Sequence, residues 1–181
     1  MRSVSVRFMT LTASLAALYA ALTLVLAPVS FAAVQFRVSE MLTLLPVFFP
    51  EAIPGLALGC LLSDLVGFFL GLNPVGLVDA FFGTAATLAA AWFTARIGKR
   101  FSGPVRTALA PLPPVVLNGL LIGLELTFFS GSSESALFWS FCGSVALGEA
   151  VVCYALGVPL LLLLERKDAA GVPFWRKIYK M

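Results

Sequence analysis

Eight polar residues break a chain otherwise built from long apolar runs: Gln35, Arg37, Glu40, Asp64, Asp79, Asn118, Glu125 and Glu149. Their chemistry is that of recognition. A carboxylate accepts a pair of neighbouring N–H groups, a side-chain amide donates to a carbonyl, and a guanidinium can lock a loop onto a carboxylate. Asn118 and Glu125 are seven residues apart, which returns nearly to the same helix face and lets one ligand meet both. Residues for bond-breaking chemistry are missing. Histidine, the commonest general base and metal ligand, does not occur, and Cys60, Cys142 and Cys153 have no C-x-x-C spacing. There is no P-loop and no G-x-G-x-x-G element, so any dependence on ATP requires a partner. The expectation is no catalytic residue, no metal and no cofactor.

The elements that must position these residues are transmembrane helices. Of 181 residues 60% are hydrophobic and 12% charged, and the mean hydropathy is +1.01. Apolar runs of spanning length with short connectors describe one polytopic membrane domain, residues 1–181. The fold class expected is all-α, six spans in one compact bundle, at about 8–27, 38–49, 53–71, 77–95, 107–129 and 136–164. The second is short for a hydrocarbon layer of ~30 Å.

Charge orients the spans. Arg2 and Arg7 precede the first, Arg96, Lys99, Arg100 and Arg106 follow the fourth, and Arg166, Lys167, Arg176, Lys177 and Lys180 follow the sixth. Six spans with both termini cytoplasmic put every basic residue but Arg37 on the inner face. The basic residues lie at span ends and not in a patch with stacking aromatics, so nucleic acid is not an expected partner; the lipid bilayer is. A cleaved signal peptide fits the first 33 residues less well, because the apolar stretch exceeds an h-region of about 7–15 residues.

In this orientation the acids are one-sided. Glu40 and Asp79 stand at outer span starts, Asp64 lies ~10 Å and Glu125 ~8 Å below the outer ends of their spans, and Glu149 lies ~18 Å down the sixth at a depth similar to Asn118. Intramembrane carboxylates with no basic neighbour in sequence imply a polar pocket open outward. A wet helix end or backbone hydrogen bond is the bland reading of Asp64 and Asp79, and for Asp79, near a helix N-terminus, the helix dipole makes it an equal one. Glu51 reads as a solvated loop acid. Aromatics such as Phe69, Phe81, Phe128 and Trp139 read as an interfacial belt. In the first span Ala13, Ala17 and Ala21, with Ala16 and Ala20, form a smooth face that another helix can approach, whether inside this bundle or on a partner.

The segments "QFRVSEMLTLLP", "FFPEAIPGLALGCLLSD", "GLVDAFFGTAATLAAAW", "VVLNGLLIGLEL" and "SVALGEAVVCYALGVPLL" together resemble the QueT family, substrate-binding components of energy-coupling factor vitamin importers. The resemblance covers nearly the whole chain. It implies a six-helix component of a bacterial cytoplasmic membrane that captures a 7-deazaguanine precursor of queuosine, or queuine, from outside. It further implies a shared transmembrane coupling subunit, which the alanine face of the first helix would meet, and two cytoplasmic ATPase subunits. The chain itself would hydrolyse nothing.

Such a ligand suits the residues. A deazaguanine offers neighbouring N–H donors to a carboxylate and a carbonyl to Asn118, Gln35 or a backbone N–H, while an aminomethyl group would add a cation for another carboxylate. The loop from about Pro28 to Glu40 is expected to act as a lid, with Gln35, Arg37 and Glu40 touching ligand or locking the loop. A proton-coupled importer needing no partner, a component for a different vitamin, and a membrane enzyme or assembly factor remain the alternatives.

Overall fold

The computed structural model describes residues 6–32, 34–131 and 134–169, and these are almost wholly helical, with no strand among them. Arg2 and the basic tail residues Arg176, Lys177 and Lys180 lie outside the described residues, as do Ser132 and Ser133. Helix α1 (Val6–Val25) leads through Leu26 into the single turn α2 (Ala27–Ser30). The break therefore precedes Pro28, which occupies the first turn of α2, where its missing N–H costs nothing. Next come a 3-10 helix Val38–Val47, a short 3-10 turn Pro50–Ala52, and α3 (Ile53–Phe69).

Helix α4 (Leu77–Arg100) runs five residues beyond the expected end at Ala95. Arg96 lies over the Trp92 ring at 4.1 Å one turn earlier, and Lys99 and Arg100 complement the carboxyl-terminal end of the helix dipole. The fifth apolar run is divided into α5 (Gly103–Leu109) and α6 (Leu112–Phe129), because Pro111, Pro113 and Pro114 are tolerated only in a first turn. The last run is α7 (Ser135–Val152), a π-helical turn Cys153–Gly157, and α8 (Val158–Ala169).

Five stretches are long and apolar enough to cross a bilayer: 8–25, 50–69, 77–100, 103–129 and 135–166. The remaining expected span, 38–49, is instead mostly the ten-residue 3-10 helix. At ~2.0 Å per residue it covers ~20 Å, where an α-helix of equal length would cover ~15 Å. Pro46 lacks the N–H that an α-helix would direct to the Leu42 carbonyl. The segment is sheathed by the other helices, with Ser39, Glu40, Leu42, Thr43, Leu44, Pro46 and Val47 all buried.

Small residues let the helices close on one another, the packing that replaces hydrophobic drive inside a membrane. A Cβ at Gly55 would sit 2.8 Å from the Thr12 carbonyl oxygen, and one at Gly59 3.1 Å from Ala16 Cα, so α3 touches the backbone of α1. A Cβ at Gly123 would lie 2.5 Å from Cys142 Sγ, which ties α6 to α7 in the same way. Phe69, Phe81, Phe128 and Trp139 are exposed at the ends of α3, α4, α6 and α7 that carry the connecting turns on one side of the bundle, as a belt requires.

Candidate ligand-binding site

The loop between α2 and the 3-10 helix folds back on itself through Phe36 N–H to the Val29 carbonyl and delivers Arg37 into the bundle. Arg37 is 3% exposed. Its Nη2 lies 3.5 Å from Asp64 Oδ1 of α3 and 3.4 Å from Asp79 Oδ2 of α4, and Nη1 lies 3.5 Å from Cys60 Sγ. The guanidinium also lies 5.6 Å from the Phe31 ring centroid. Burial works against its charge, but the aspartates more than offset this and hold Arg37 protonated more firmly than in water. Asn73 Nδ2 donates to Asp79 Oδ2 at 2.7 Å. Gly83 makes room for the cluster, since a Cβ there would meet Asp64 Oδ2 at 2.9 Å.

Three residues on, Glu40 enters the interior on the first turn of the 3-10 helix. Its Oε1 accepts from the Tyr19 hydroxyl of α1, and from Thr87 Oγ1 of α4 at 2.9 Å, while Oε2 has no hydrogen-bond partner. Glu149 of α7 lies beside it. The Cys153 thiol is 3.8 Å from both the Glu40 carbonyl oxygen and Glu149 Oε2, and Glu149 also lies against Asn118 of α6. Asn118 Nδ2 has no hydrogen bond within 3.5 Å.

One turn-pair further along α6, Glu125 is 1% exposed. Neither of its oxygens has a hydrogen-bond partner. It lies within electrostatic reach of Asp79, Arg37 and Asp64. A buried polar atom left unpaired costs about 1–3 kcal/mol, more when charged. The unpartnered Glu125 Oε1 and Oε2 and Glu40 Oε2, with the Asn118 amide between α6 and Glu149, therefore mark the part of the interior suited to a polar ligand.

Gln35, Arg37, Glu40, Asp64, Asp79, Asn118, Glu125 and Glu149 are all buried. Asp64 and Asp79 are not wet helix ends, because both bind Arg37. Glu51 is exposed, as expected. The alanines divide. Ala13, Ala17 and Ala21 are exposed and Ala20 is half-buried, whereas Ala16 is 2% exposed and packs on Gly59, inside the bundle. Tyr19, Asn73, Gly83, Thr87 and Gly148 were not foreseen as part of the site. The only signal for Tyr19 and Thr87 was a hydroxyl within an apolar run.

Gly148 has a particular role. A Cβ on it would run into the Gln35 carbonyl oxygen, so only glycine lets the loop lie directly on α7 next to Glu149. Gly148→Ala is expected to displace the loop at a cost of about 1–3 kcal/mol. Ligand dissociation should accelerate by at least tenfold at unchanged helicity, measured by stopped-flow release and circular dichroism; an unaltered release rate would remove the loop from the site's closure.

A model of the QueT transporter family matches residues 9–166. The chain belongs to this family. No curated protein and no solved structure matches it. The matched region runs from α1 to α8 and so contains all the buried polar residues above. Membership in the QueT family and the five spanning helices describe a multi-pass membrane transporter.

Proposed function

We propose that this QueT-family protein is the substrate-binding component of an energy-coupling factor importer, which captures a 7-deazaguanine precursor of queuosine or queuine from outside the cell. Uptake is driven by ATP hydrolysed on partner subunits. In this reading the 3-10 helix Val38–Val47 is the sixth membrane segment, both termini are cytoplasmic, and the site opens outward.

The observation that carries the proposal is the pairing on one face of α6. Glu125 presents two unpaired acceptor oxygens, and Asn118, seven residues away, an amide donor that also faces Glu149. The Watson–Crick edge of a deazaguanine offers the complement: two adjacent N–H donors, then a carbonyl oxygen. The residues lie ~10 Å apart along the helix axis.

Calorimetric titration of the purified, detergent-solubilised protein with 7-deazaguanines, queuine, guanine and unrelated vitamins tests this reading. Tight binding confined to deazapurines is expected. Binding of a vitamin instead, by folded protein, would move the chain to a different substrate. The partner half of the proposal rests on the exposed Ala13, Ala17 and Ala21, which leave the backbone of α1 open to close approach. Ala17→Trp is expected to reduce co-purification of the coupling subunit at least tenfold and to leave ligand affinity within twofold. Undiminished co-purification would place the partner on another face.

A further inference from the structure

Away from the polar interior, a groove of about 590 Å³ lies on the outside of the bundle between α5 and α8, a volume in the ~300–1,000 Å³ range of ligand clefts. Pro104, Thr107 and Ala108 form one wall, and Tyr154, Val158 and Leu162 the other. Ala108 carries too little side chain to fill the space beside α8. Its carbonyl stands in the last turn of α5, where such groups lack an intrahelical partner, and accepts from the Tyr154 hydroxyl at 2.9 Å. With that bond made, the deep end presents carbon. Both walls belong to stretches long and apolar enough to cross a bilayer, 103–129 and 135–166, so the groove faces hydrocarbon and water cannot fill it.

Its length and its charge identify what does. From Tyr154 to Glu165 is eleven residues, or ~16 Å of helix. That is about half of a ~30 Å hydrocarbon layer, the depth of one leaflet. Glu165 and Gly103 line the shallow end. Glu165 is occupied, since Arg106 Nη2 donates to it. Lys99, Arg100 and Arg166 are exposed, and among the described residues they form no ion pair. Arg166 directly follows Glu165, and Arg100 is three residues, at most ~11 Å of chain, from Gly103. An apolar slot one leaflet deep, with uncompensated cations at its mouth, is complementary to a molecule with an acyl chain and an anionic headgroup. A helix of another protein would leave the cations unused, and a zwitterionic lipid would bring no net charge to them.

We propose that α5 and α8 form a binding site for one anionic phospholipid of the inner leaflet, its chain along Ala108, Tyr154 and Leu162 and its phosphate on Arg100 and Arg166. The leaflet follows from the orientation proposed above. The site itself is independent of what the interior of the bundle binds.

The test is native mass spectrometry of the full chain in detergent, exchanged into equimolar phosphatidylglycerol, phosphatidylethanolamine and phosphatidylcholine with identical acyl chains. The protein is expected to retain one phosphatidylglycerol at least tenfold over the other two, each cation near a lipid surface being worth about fivefold. Ala108→Trp fills the groove and is expected to abolish retention at unchanged helicity, whereas Leu147→Trp, on the exposed side of α7 outside the groove, should leave it intact. Lys99→Gln, Arg100→Gln and Arg166→Gln combined are expected to bring the three lipids within about twofold of one another. Equal retention of all three lipids by the native protein, which needs no variant to fold, would overturn the site. Undiminished phosphatidylglycerol on folded Ala108→Trp would overturn it by placing the lipid elsewhere. A preference that survives the triple substitution would overturn the assignment of the headgroup to these cations. Ala108→Trp that keeps its lipid but loses a co-purifying membrane subunit would overturn it in favour of a protein helix in the groove.

Discussion

Arg37→Met is expected to destabilise the protein by about 3–5 kcal/mol, the cost of removing one member of a buried ion pair and leaving its partner charged in a medium that cannot solvate it. The effect should be large because one guanidinium serves two carboxylates. Without it Asp64 and Asp79 remain together in a 0–1% exposed site, with only Asn73 and the Cys60 thiol as donors. Methionine keeps most of the packing volume, so the loss reports charge and not a cavity. Thermal unfolding in detergent reads the change, and Arg37→Met combined with Asp64→Asn and Asp79→Asn should recover most of it by removing the stranded charges. If the single variant melted like the native protein, Arg37 would be a spectator and the loop would be held by its backbone contacts, Phe36 N–H to the Val29 carbonyl and Gln35 against Gly148. Arg37 also fastens the loop, so the triple variant, folded but without the lock, is expected to bind ligand and release it faster.

The apolar runs made the all-helical bundle legible, because intramembrane backbone can satisfy itself only within helices and runs of this length have no other use. The acids were legible as a buried polar cluster for a related reason: carboxylates such as Glu125 and Glu149 are costly in hydrocarbon unless they face partners inside the bundle. Fine geometry was less accessible. In "SEMLTLLP" Pro46 speaks against a regular α-helix but does not announce a ten-residue 3-10 helix, which packs closely on α4 where Gly98 admits the Val47 backbone. The division at Pro111 and the π turn at Cys153–Gly157 likewise sit inside runs that hydropathy reads as continuous. Which alanines face inward could not be decided from a repeat of four alone: Ala16 and Ala17 differ only in which side of α1 meets Gly59. The Arg37 to carboxylate lock was foreseeable because a basic residue stood alone on the outer side of an acidic bundle. Its two partners come from different helices, and only the packing could name them.

Glu125→Gln is expected to weaken ligand binding by roughly 10- to 100-fold, the value of one hydrogen bond to a charged group with its partner left buried. The substitution is nearly isosteric, so packing is unchanged. Its consequence follows from what an amide can offer: glutamine keeps one acceptor oxygen but turns an NH₂ group toward the second N–H of the ligand, donor against donor. The same argument makes the direction of the stability change opposite to that of affinity. In the free protein both Glu125 oxygens are buried without partners, and two acids, Asp79 and Asp64, lie within electrostatic reach against one base, Arg37, which those acids already pair. Removing that charge relieves a desolvated carboxylate in an acidic neighbourhood, so the unliganded variant should melt at or above the native temperature. A residue that merely supports the fold would lose both stability and binding. Calorimetry and thermal unfolding on the same preparation separate the cases: lower affinity with equal or higher thermal stability marks a residue held ready for ligand, and a parallel fall in both would return Glu125 to the structural framework.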